Sequence, residues 1–409
     1  MYRTTYLPNT RLQVADALRG LAIIGITLLH NVWHLHFVRP PEITNGWIAF
    51  FDKIVWEDLS FAFEGKMYSI FTLMFGLSFF IQNDNQMQRG NDFTFRFRWR
   101  MTLLLVFGIV NTFFFSGDIL FSYALFGMML PFFSKLSTKT VAIITCLLLL
   151  LPVEIYQFIA ALFNPDYQLI HVNNENYSNI IANSQQYETF WKCGWNNLKY
   201  GQLINFAWDI EGGRITLIPG LFLLGMILGR LRLFYNEKNN LKIWFAILVI
   251  SLVSFALFYK ITDLLPNYIS RTELLTPVWR ISTTWSNLAQ TSIYISIFVL
   301  LFYSFKTVNR WMLQLTFLGR ASMTNYIMQS VLGSILYFGW GFNFYQYFGP
   351  AISFLIGIVV VITQYWFCRW WFKTHKHGPL EGLWKKLTWY SFRSNALPQT
   401  LKGSVHARE

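Results

Sequence analysis

Arg19 and His30 stand eleven residues apart inside the apolar stretch RLQVADALRGLAIIGITLLHNVWHLHF, which runs from Arg11 to Phe37. A helix sets residues at that spacing roughly 16 Å apart along its axis. With Arg19 at the inner edge of a hydrocarbon core about 30 Å thick, His30 reaches its middle or slightly beyond. Ionisable groups at such depth are costly, and are kept for function or paired with a partner. An imidazole titrates near neutrality, so His30 is a candidate general base. The plainer alternative is a histidine satisfied by an adjacent helix.

The neighbouring groups narrow this chemistry. His34 follows His30 by four residues and His36 lies beyond. Two histidines at that spacing can ligate a metal, but a site needs further ligands and outer support, so no metal is expected, and His34 and His36 are assigned to the outer interface. Asp16, three residues from Arg19, can pair with it as a structural lock as readily as it can take part in catalysis. Asp118 falls in the short connection Ser116 to Leu120. There it could cap the following helix or orient an imidazole or acceptor hydroxyl.

The elements that must hold these groups are apolar helices. Of 409 residues, 54% are hydrophobic, 19% aromatic and 13% charged. A soluble chain would carry roughly 25% charge. The fold class expected is all-α, a polytopic integral membrane protein. Ten spans are expected, at about 17–38, 66–83, 101–117, 119–134, 139–162, 214–231, 241–260, 285–305, 319–338 and 350–371. A cytoplasmic N-terminus puts most of the 33 Lys and Arg residues on the inner side, so both termini are expected inside. The net charge of +13 comes from short basic clusters between apolar runs, which suits membrane orientation and excludes a nucleic-acid face. Cys146, Cys193 and Cys368 are far apart, and neither a disulfide nor a metal role is expected. The first span is expected to be retained, since no small-residue cleavage site follows it.

Between the spans lie three informative segments. Residues 39–65 mix Trp47, Phe50, Phe51, Trp56 and Phe61 with acids, which suits an amphipathic helix at the outer interface. FTFRFRWR, at 93–100, reads either as an anchor at the inner leaflet or as Arg96, Arg98 and Arg100 receiving an anionic cofactor. The long polar stretch 163–213 is external and could cap an outward-facing site. The ninth span opens with LGRASMTNYIMQS, whose Arg320, Thr324, Asn325 and Gln329 can share a face and hydrogen-bond to neighbouring helices.

DALRGLAIIGITLL, EGKMYSIFTLMFGL, SGDILFSYALFGMML, LGRASMTNYIMQS and HGPLEGLWKKLTW, in this order, resemble the YeiB-like membrane proteins of bacteria. The C-terminal half of those chains is catalogued as domain of unknown function 418. The resemblance implies a membrane region over 1–235, the domain over 236–395 and a disordered polar tail over 396–409. More distantly, the first span resembles that of transmembrane acyltransferases acting on extracytoplasmic glycans from cytoplasmic acyl-CoA. That likeness implies that His30 is the general base and that Arg19 positions the donor. Many YeiB-like chains have asparagine at the position of His30 and histidine at that of Asn111; here the two are exchanged.

The function expected is acyl transfer in the bacterial cytoplasmic membrane. Acyl-CoA would be a co-substrate bound near Arg19 and Arg96 to Arg100, with no tightly bound cofactor. His30 would deprotonate an envelope glycan acceptor, with Asp118 and Asn111 nearby. The partners expected are the bilayer, the acyl donor and the acceptor; oligomeric state stays open. A transporter or flippase using the same polar groups is the first alternative, and a non-catalytic scaffold the second.

Overall fold

The computed structural model describes residues 11–37, 46–172 and 175–390, and every regular element among them is helical. The expected tail at 396–409 lies outside the described residues. The first helix, α1 (Gln13–Phe37), carries Asp16 in its first turn, where the helix dipole favours a carboxylate. Its 25 residues rise about 38 Å. Its polar groups Asp16, Thr27, His30, Asn31 and His34 are all buried against neighbouring helices. About 78% of its membrane-length window lies inside the protein, against 11% for the most peripheral span, so α1 is the central post of the bundle.

α2 (Gly46–Phe63) covers the described part of the segment 39–65 read as amphipathic, with Trp47, Phe50, Phe51 and Phe61 exposed and Asp52 buried; residues 39–45 lie outside the described residues. Then come α3 (Met67–Met87) and α4 (Thr94–Phe114), followed by the short pair α5 (Leu120–Gly127) and α6 (Leu130–Ser134). α7 (Thr138–Leu149) and α8 (Pro152–Phe163) form one apolar run bent by 47°. Leu151 is left-handed at φ 58° and Pro152 lacks the N–H that would continue the helix. α9 (Glu175–Tyr187), α10 (Phe190–Asn196), a π-helical turn at Asn197–Gly201 and α11 (Gln202–Glu211) fill the polar stretch. Gly213, at φ 69°, then turns the chain by 77° into α12 (Arg214–Arg230).

The C-terminal half contains α13 (Lys238–Tyr268) and α14 (Thr272–Ser304), long helices packed on each other. Short α15 (Lys306–Met312) and α16 (Leu315–Arg320) lead into α17 (Ser322–Tyr337), α18 (Pro350–Trp371) and the final α19 (Pro379–Thr388). Asp52 of α2 accepts from Ala351 N at 2.7 Å and so caps the start of α18.

Glycines set the closest crossings. A Cβ on Gly319 would stand 1.8 Å from Asp16 O, and one on Gly20 would stand 2.1 Å from Leu315 O, so α1 and α16 touch backbone to backbone. α3 and α12 do the same through Gly76 and Gly225. Small residues at crossings are how helices approach where no hydrophobic force drives them together.

Among the described residues, five helices, α1, α4, α13, α14 and α18, are long and apolar enough to cross a membrane, and seven spans result if each bent pair counts as one. The remaining expected spans fall on shorter or more polar helices. Residues 119–134 are split between α5 and α6, and the 8 residues of α5 rise only about 12 Å. α17 has 16 residues, and α3 ends in the polar turn Gln82 to Gln86.

Candidate functional site

His30 hangs from the centre of α1, facing α17. Gln329 Nε2 lies 3.2 Å from its Nδ1, and Thr27, one turn back on α1, donates to Gln329 Oε1 at 2.6 Å. Thr27 also reaches Gln364 Oε1 of α18 at 3.4 Å, while Gln364 Nε2 donates to Asn325 O at 3.0 Å. Asn325 in turn donates to Leu318 O at 3.1 Å. The expected polar face of LGRASMTNYIMQS thus bonds to its neighbours, and one end of it terminates on the histidine. Around the ring stand Phe115 at 4.8 Å, Tyr326 at 5.9 Å and Trp33 at 6.0 Å.

Tyr326 links His30 to the second group of expected site residues. Its hydroxyl accepts from Ile119 N at 3.3 Å, in the turn that carries Asp118. Asp118 Oδ1 accepts from Asn111 at 2.8 Å, and Oδ2 accepts from Phe121 N at 3.2 Å. The carboxylate therefore caps α5 and holds Asn111 at once. Asn205 of α11 clamps the same turn through Ser116 O and Asp118 O, at 2.5 and 3.0 Å. Phe115 closes α4 against His30, so the helices of His30 and Asn111 are neighbours. Sequence reading missed Tyr326, although it lies three residues before Gln329 and so on the same helical face.

His34 is not at an interface. It is 1% exposed, its Nδ1 lies 2.6 Å from His30 O, and its Nε2 has no partner. It faces the same way as His30, and Phe115, Tyr337 and the bare backbone at Gly333 cover that side. The side chain of His36 lies outside the described residues. Among the described residues, no group of three His, Cys, Asp or Glu is placed to hold a metal ion.

Arg19 lies at the other end of α1, held by Asp16 at 2.9 Å and by the Ser78 hydroxyl, with Met74 O at 3.4 Å. Arg11 closes on the same carboxylate. The expected basic cluster is divided. Arg96 donates to Thr388 O at 3.2 Å, and the Arg100 guanidinium stacks 3.6 Å over Trp384, so both fasten α19 to α4. Arg98 alone of the three is exposed. Arg320 packs over Phe372 at 4.0 Å and donates to Lys376 O at 3.1 Å.

α19 also caps α17. Glu381 Oε1 accepts from Met323 N at 2.7 Å and Thr324 N at 3.0 Å, and Oε2 accepts from Thr324 Oγ1 at 2.6 Å. Burial raises the Glu381 carboxyl, against the lowering effect of these bonds. The motifs GRASMTNY and HGPLEGLW are thus two halves of one joint.

Two cavities, of about 300 and about 110 Å³, open elsewhere, and neither touches His30. The smaller one is lined by Arg214, whose guanidinium stacks on Trp208 at 3.5 Å and Tyr68 at 5.0 Å.

Helices of this length and apolarity around a buried polar cluster define an all-helical protein of the membrane-spanning class. Residues 228–391 match the family model described as "Protein of unknown function (DUF418)". The chain is similar to uncharacterised protein YxaH of Bacillus subtilis (strain 168), at 27% identity over 95% of this chain and 96% of that one. An uncharacterised 39.9 kDa protein in the amylase 3' region of Bacillus acidopullulyticus is also 27% identical, over 93% and 94%. Uncharacterised protein YeiB of Escherichia coli (strain K12) is 23% identical over 91% and 95%. The chain is thus similar to YeiB along most of its length, and its C-terminal part matches the DUF418 model. No solved structure matches it. None of these three relatives is named for an activity, and the acyltransferase likeness expected from the first span is not shown by them.

Proposed function

We propose that the protein is a ten-pass acyltransferase of the bacterial cytoplasmic membrane, with both termini inside, acting on an envelope glycan from cytoplasmic acyl-CoA. The observation that carries this reading is the chain Gln364–Thr27–Gln329–His30, which ends on an imidazole flanked by Tyr326 and the Asn111–Asp118 pair. Arg19 and the exposed Arg98 supply cationic groups for the donor at the opposite end of α1 and α4.

Base catalysis needs a lone pair on Nε2, and therefore a proton on Nδ1. Rotating the Gln329 amide provides it. Oε1 then accepts from Nδ1–H, and Nε2 donates to Thr27, whose own proton goes to Gln364 Oε1. In the transfer, Nε2 takes the acceptor hydroxyl proton as its oxygen attacks the thioester carbonyl. The carbon–sulfur bond breaks, and the departing thiolate recovers the proton from the imidazolium. Replacing His30 by Ala should abolish acyl modification of envelope glycans with membrane insertion intact. Unchanged modification would sink the reading.

A transporter is the second reading, favoured by the two bent spans, because broken helices often flank substrate paths. Solute uptake into vesicles by the purified protein, without acyl transfer, would select it.

A further inference from the structure

The larger cavity lies between α8, the connection that follows it, the end of α11 and the start of α14. It is far from empty of chemistry. Gln157, only 3% exposed, lines it with an Oε1 that has no partner. One turn back on α8, Glu154 is fully buried, and neither of its oxygens has a partner. Three buried acceptor atoms thus stand on one face of α8 without a donor. Buried polar atoms are nearly always satisfied, and leaving one unpaired costs about 1–3 kcal/mol.

The walls give the missing donor a character. Glu211 and Glu273 line the cavity beside Arg280, and Glu154 is the third carboxyl of the region, set against two guanidinia, since Glu273 also pairs with Arg271 at 3.3 Å. Arg280 acts electrostatically on both Glu154 and Glu211. The balance is acidic, which favours a cation. Thr272 and Thr276 add hydroxyls to the rim, which suits a polyhydroxylated ring better than a simple alkyl amine. The volume, about 300 Å³, is at the lower end for small-molecule sites.

We propose that this cavity binds a hexosamine unit, with a hydroxyl donor meeting Gln157 Oε1 and its ammonium set against the carboxylates of Glu211 and Glu273. The inference deepens the acyl-transfer reading by giving the acceptor glycan a subsite. That assignment rests on the reading, but sugar binding itself does not.

The test is calorimetric titration of the purified full-length protein in detergent with glucosamine and with glucose. Wild type should bind glucosamine about tenfold more tightly than glucose, the worth of one charge-assisted bond. Gln157→Leu should weaken glucosamine about tenfold, and Glu273→Gln, at the rim, should weaken it several-fold while costing the fold only a part-exposed ion pair with Arg271. Equal affinity for the two sugars, no binding of glucosamine, or unchanged affinity in the folded variants overturns the proposal. His30→Ala should bind glucosamine as wild type does. Binding without any acyl transfer would remove the enzyme reading and keep the site; acyl transfer without binding would do the reverse.

Discussion

Two imidazoles show how the environment decides what a residue can do. His30 is held at Nδ1 by an amide that can present either end, so the network leaves its tautomer selectable. His377, in the turn before α19, is different: Lys385 Nζ lies 3.0 Å from its Nε2, so the ring is a neutral acceptor. Burial and the cations Lys385, Arg11, Arg320 and Lys376 hold its pKa below the ordinary value of 6.5. A freed segment would therefore take up the proton more readily. Docking of α19 should be at full strength above pH 6.5 and weaken as pH falls from there toward the lowered value. The raised Glu381 carboxyl pulls the opposite way, and is common to wild type and to His377→Gln. Hydrogen exchange across 379–388 should thus accelerate on acidification in wild type, and less so in the variant. Exchange in which the two cannot be told apart would remove this role for His377.

At the level of elements, the joint between α17 and α19 is the strongest structural statement in the C-terminal half. Glu381 satisfies two of the orphan N–H groups at the start of α17, along with the Thr324 hydroxyl. Trp384 adds a bond to Arg100 O at 2.9 Å, tying α4 into the same joint. Loss of a cap of this kind costs about 1–2 kcal/mol. Glu381→Ala should lower thermal stability by about that much and raise hydrogen exchange in the first turn of α17, with Glu381→Gln affected less. A variant as stable and as protected as wild type would mean that water caps the helix instead.

For the whole molecule, the central contact is α1 against α16. The atom opposing Gly319 is a backbone carbonyl, which cannot swing aside as a side-chain end can. Gly319→Val should therefore be among the rare substitutions that cost more than about 4 kcal/mol, and folded protein should not be recovered after detergent extraction. Gly46→Ala, where nothing lies within 4 Å of the new carbon, is the control and should behave as wild type. Recovery of Gly319→Val at the control's yield would show that the crossing can relax.

Composition and local pattern alone determined the helical class, the Asp16–Arg19 pair and the polar face of α17 that seeks partners. Each rests on residues within a few turns of one another, where helical geometry is enough. The breaks at Leu151–Pro152 and Gly213 also have local causes, in a missing donor and a left-handed turn. Only the tertiary structure decided the rest. Tyr326 meets the Asp118 turn across 207 residues, Glu381 meets Thr324 across 57, and Arg96 is spent on Thr388 across 292. His34 is buried because α17 and Phe115 cover a face that the sequence left open to the interface. Contacts of that range depend on which helices lie side by side, and no periodicity along a single helix encodes its neighbours.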